Sequence, residues 1–121
     1  MGQLVIGVGQ VVLNLRFAET LKDRRKVVQS LIQKLKNEGY SATDVGPDNQ
    51  PKSAILGFSM AGPSRPWVDS QMEKAKQIFQ GDFEILEAQT DVFEYEGPDD
   101  IEDPENPDEP EFSFLKFRRN D

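Results

Sequence analysis

Seven bases lie between Arg16 and Glu38, against three acids. Five of them, Arg16, Lys22, Arg24, Arg25 and Lys26, surround Thr20, a residue type that favours the start of a helix. A helix start leaves backbone N–H groups unpaired and carries partial positive charge. Together with the side chains, it could hold the phosphates of an RNA backbone or another bound anion. The same residues also suit an ordinary solvated face, partly neutralised by Glu19 and Asp23. These five form the candidate anion- or RNA-binding set.

Other chemistry is narrowed by what the chain lacks. With no cysteine there is no disulfide, thiolate nucleophile or zinc–sulfur site. With no histidine, the usual general base near neutral pH and the commonest transition-metal ligand are missing too. Gly7-Val8-Gly9 resembles the opening of a phosphate loop, but Val12 stands where the third glycine is needed and no Gly-Lys-Ser/Thr follows. Close packing explains the two glycines better. Asp44, Asp48 and Asn49 offer oxygen ligands without the spacing of a calcium loop. Trp67 reads as an anchor over the core edge rather than a stacking platform. No catalytic residue, metal or cofactor is assigned.

The 121 residues carry a net charge of −8, unevenly distributed. Residues 97–121 account for −6 and residues 1–96 for −2. From Gly97 to Glu111 the chain is nearly all Asp, Glu and Pro, a composition that cannot bury enough apolar surface to offset its ordering entropy. The expectation is a domain over 1–96 and a mobile acidic tail over 97–121. That tail ends in Phe112, Phe114 and Phe117 interleaved with and followed by bases, a candidate docking element. Its acids could instead lie over the basic helix and screen it. Neither a secretory signal nor a membrane span is legible at the N-terminus. The chain therefore reads as cytoplasmic, with no membrane or DNA partner expected.

The elements that must position these residues follow from periodicity. Leu4 to Leu15 reads as a strand, apolar on both parities, which suggests cover on both faces for part of its length. The glycines at 7 and 9 would let a crossing helix approach closely. Thr20 and Asp23 form a shortened capping box, and Leu21, Val28, Leu31, Ile32 and Leu35 recur at helical spacing up to Gly39. Strands are expected at 40–45 and 53–60, a second helix at 67–79 and a long strand at 83–95. A change of apolar parity within that last strand suggests a bulge or two buried faces. The order is that of an α+β, ferredoxin-like β-α-β-β-α-β domain. It implies a four-stranded antiparallel sheet with two helices on one face.

The string LNLRFAETLKDRRKVVQSL at 13–31 resembles the YlxP-like family of small bacterial proteins. Its helix start, Thr20-Leu21-Lys22-Asp23-Arg24-Arg25, is similar to the Ser-Leu-Lys-Asp-Lys-Arg pattern of that family. The likeness continues through Ala42–Val45 and Ala54–Gly57 to the strand near Tyr95, and stops before the tail. It implies a ferredoxin-like fold and an association with translation, since genes of such proteins often neighbour those of translation-initiation and ribosome-binding factors. It brings no catalytic residue.

The resulting expectation is a non-enzymatic accessory protein of bacterial translation. It would bind ribosomal RNA or a ribosome-associated protein through the basic start of helix one. One alternative is a protein–protein module, a homodimer formed through the open sheet face. The other is an acylphosphatase-like anion-binding enzyme using Arg16.

Overall fold

A computed structural model describes residues 3–80 and 83–95. The expected acidic tail and its three phenylalanines lie outside the described residues. The elements run β1 (Leu4–Asn14), α1 (Leu21–Asn37), β2 (Ser41–Gly46), β3 (Ser53–Gly62), α2 (Arg65–Ile78) and β4 (Glu84–Tyr95). The strands form one antiparallel sheet in the order β2-β3-β1-β4. This is the ferredoxin-like arrangement.

Alternation along β1 decides which side becomes the core. Val5, Val11 and Leu13 are buried on one face, with Leu56 and Ala54 of β3 directly opposite Val11 and Leu13. Both helices lie against this face. From α1 come Val28, Leu31 and Leu35; from α2 come Val68, Met72 and Ala75, and Phe79 follows at its end. Fully burying a large side chain of this kind stabilises the fold by about 1.5–3 kcal/mol.

The glycines of β1 are packing devices, in keeping with their spacing. A Cβ on Gly7 would stand 2.8 Å from Val68 Cγ1 and Met72 Cε, so α2 crosses the sheet over that gap. A Cβ on Gly9 would collide with the ring of Phe58 on β3. That ring lies between Tyr40 and Phe79, with centroids 6.0 and 5.7 Å away.

Three expectations need adjustment. The second apolar parity of β1 is not sealed by any described residue: Leu4 and Val8 are exposed, and Ile6 and Val12 are half-buried. A strand can be apolar on both faces without both being sealed by its own domain. Helix α2 begins at Arg65, before the expected start. Ser64 caps it by accepting from the Trp67 N–H, and Pro66 sits in the first turn, where its missing N–H sacrifices no helical bond. β3 runs on to Gly62, and the Trp67 ring lies over that glycine at the core edge. Of the two explanations for the parity change in β4, the bulge is the one present: Val12 and Leu13 of β1 stand opposite Glu87 and Ile85 of β4, leaving Leu86 as the extra residue.

Candidate nucleic-acid interface

The start of α1 is built as its residue types suggest. Thr20 Oγ1 accepts from the Asp23 N–H at 3.1 Å, and the Asp23 carboxylate accepts from the N–H groups of Glu19 and Thr20 at 3.0 and 3.2 Å. Those backbone donors, Glu19 first, hold the Asp23 carboxyl below the usual carboxylate range. The helix start therefore already carries an anion of its own, which weakens the case for a phosphate bound there.

Arg24 is a correction to the candidate set. It is 4 % exposed. Its Nε donates to the Ser53 carbonyl at 2.7 Å, while Nη1 and Nη2 donate to the two oxygens of Asp44 at 2.9 and 3.0 Å. Asp44 also accepts from the Gly46 N–H at 2.9 Å. The Arg24 hydrogen bonds, opposed by partial burial, pull the Asp44 carboxyl below its ordinary value. Arg24 belongs with Val28, Leu31 and Leu35 on the inward stripe of the helix, so it has no face to offer an external phosphate. Asp44 is thereby committed to Arg24, and no group of three acids among the described residues is placed to hold a metal ion.

The remaining four residues separate. Arg16 is exposed and lies 3.7 Å from Glu84 of β4. Lys22 and Lys26 stand one turn apart on the outward ridge of α1. Arg25 is rotated by about 100° from Lys26 around the helix, onto the other flank. Among the described residues, none of Lys22, Arg25 and Lys26 makes a salt bridge.

The structure adds a cleft of about 540 Å³ beside α1. Lys26, Ser30 and Lys34 follow one another at four-residue intervals along its rim. The two lysines are thus about 12 Å apart along the helix axis. Leu15, Val27, Leu31 and Phe83 contribute apolar lining, and Asp23 stands at the end nearest the helix start. Phe17 also lines the cleft and is 72 % exposed.

The turn between β1 and α1 explains that exposure. Leu15 and Ala18 are both buried, and the Ala18 N–H donates to the Leu15 carbonyl at 3.0 Å. This tight closure directs the two intervening residues, Arg16 and Phe17, outward. Lys52 braces the turn by donating from Nζ to the Arg16 carbonyl at 2.7 Å.

Residue types alone do not single out Phe17 or Lys34. Phe17 resembles one more apolar residue after a strand, and Lys34 stands apart from the cluster around Thr20. The available signal is the four-residue interval from Lys26 through Ser30 to Lys34, together with an aromatic in a short loop. Only the packing of α1 beside that loop brings them to one cleft.

No curated protein matches the chain. The family model described as "Protein of unknown function (DUF503)" matches residues 6–91. That span takes in all of α1, the cleft-lining loop and every strand at least in part, and covers more than half of the sequence. The chain therefore belongs to the DUF503 family, whose function is not known.

Proposed function

We propose that this protein is a non-enzymatic, RNA-binding accessory factor of translation, and that the cleft beside α1 is its site. The observation that carries this reading is the juxtaposition of the exposed Phe17 ring with Lys26 and Lys34. Single-stranded RNA is held by that combination: a base stacks on an aromatic face while phosphates lie along positive charge. Lys22 extends the positive ridge toward the helix start, and Asp23 limits how far an anion can move in that direction. The likeness of residues 13–31 to YlxP-like proteins supports the assignment to translation.

The test is fluorescence anisotropy with a labelled single-stranded RNA at low salt, alongside pelleting with ribosomes. Binding by the wild-type chain should weaken roughly tenfold or more with Lys26→Glu and Lys34→Glu combined. Wild-type protein that binds neither RNA nor ribosomes, or binding indifferent to both charge reversals, would overturn the assignment.

A further inference from the structure

The face of the sheet away from the helices has two chemical zones. At one end Leu4 and Ile6 of β1 stand opposite Tyr95 and Phe93 of β4, with Val8 next along β1. Leu4, Val8, Phe93 and Tyr95 are all exposed. Further along β4 the same face carries acids, with Asp91 opposite Val8 and Glu87 opposite Val12. No Lys or Arg occupies a paired position on this face in the described strands. A shallow hollow lined by Val8, Gln10, Gln89 and Asp91 lies where the zones meet.

An occupant should be apolar at one part and basic at another. A second copy laid on this face would bring no Lys or Arg from its own paired strand positions to meet these acids. Residues 112–119 have the required character. They read Phe-Ser-Phe-Leu-Lys-Phe-Arg-Arg, with four large apolar side chains and three bases. The acidic stretch before them has the wrong sign for the β4 zone. Reach is sufficient as well. Residues 96–111 follow Tyr95, which stands at the apolar end of this face, and these sixteen residues can span up to about 55 Å. β1 is about 36 Å long.

We propose that the terminal segment 112–119 docks on the open sheet face of its own chain. Phe112, Phe114 and Phe117 cover the zone of Leu4, Ile6 and Phe93, and the bases beside them face Asp91 and Glu87. This docking is independent of RNA binding, because the cleft beside α1 lies on the opposite side of the sheet.

The chain has no cysteine, so Asn120→Cys accepts a single nitroxide label in the otherwise intact protein. In a ¹⁵N-labelled sample, the amide signals of Ile6, Val8, Asp91 and Phe93 should drop to a small fraction of their intensity. Those of Gln29 and Gln33 on the outward side of α1 should keep theirs. Adding Glu87→Lys and Asp91→Lys should restore the weakened signals. No weakening, equal weakening on both sides, weakening confined to α1, or weakening that survives the charge reversals would overturn the proposal. So would weakening seen when spin-labelled ¹⁴N chains are mixed with ¹⁵N chains that carry no nitroxide, since that would show docking between copies.

Discussion

Arg24 and Asp44 form a two-point ion pair that fastens the first turn of α1 to the edge strand β2. Both guanidinium Nη atoms donate to the carboxylate, at 2.9 and 3.0 Å, while Nε reaches the Ser53 carbonyl at the start of β3. One side chain therefore ties a helix to two strands. The guanidinium is almost fully buried and the carboxylate about one-third exposed, so the pair is neither a surface bridge nor a wholly desolvated one.

Removing the carboxylate should strand a buried positive charge. Asp44→Ala is expected to destabilise the domain by about 2–3 kcal/mol, near the lower end for breaking a buried pair because water still reaches Asp44. Arg24→Lys should recover little, since an ammonium cannot reproduce the planar two-point contact. Urea unfolding followed by circular dichroism measures both. An unfolding midpoint unchanged in Asp44→Ala would show that the pair contributes nothing.

The same pair sets an acid sensitivity. The Asp44 carboxyl is held low chiefly by the Arg24 hydrogen bonds, so its folded value lies below that of the unfolded chain. Its stabilising contribution is fully present above the unfolded value, at about pH 4, and disappears as pH falls through the folded one. The gap in unfolding midpoint between wild type and Asp44→Asn should therefore be constant near neutrality and narrow below about pH 4. A gap that widens on acidification would contradict this assignment of cause.

Stacking and charge at the cleft should separate by salt dependence. Neutralising Lys26 or Lys34 with Gln should reduce the slope of log affinity against log salt by about 0.7 for each phosphate no longer neutralised on single-stranded RNA. Phe17→Ala should weaken binding by about 1–3 kcal/mol and leave that slope unchanged. Arg25→Gln, on the other flank of the helix, should have the smallest effect of the charge changes. Anisotropy titrations over a range of salt concentrations read all of these, and a Phe17→Ala protein with wild-type affinity would remove stacking from the site.

Two glycines on neighbouring strands should respond differently to the same substitution. Gly9→Ala must displace the Phe58 ring and is expected to cost about 1–3 kcal/mol. At Gly57 an added Cβ would meet Thr43 and Val45 at 3.6 Å, an ordinary contact. Gly57→Ala should therefore change stability by no more than about 1 kcal/mol, with reduced chain entropy in the unfolded state working in its favour. Thermal melts of the two single variants, run in parallel, decide whether close approach or backbone freedom accounts for Gly9.

Element order, the start of α1 and the buried stripe are all legible in the residues themselves. They rest on local rules: Thr20 and Asp23 cap each other across three residues, and the alternation of Val5, Val11 and Leu13 selects a face whatever covers it. The double apolar parity of β1 is legible in the same way. The fate of the charges and of the loop aromatic is not. Arg24 carries the same charge as Lys22 and Arg25, and although it keeps helical register with Val28, Leu31 and Leu35, nothing near it in the chain offers the partner that a buried arginine needs. Its inward turn depends on Asp44 arriving, twenty positions later, on a strand that packs beside α1. Phe17 likewise becomes a candidate stacking surface because Leu15 and Ala18 are pulled into the core on either side of it. Local spacing places these residues on a helix face or in a loop, but the partner that fixes each one comes from a distant part of the chain, so spacing alone does not say what the residue does.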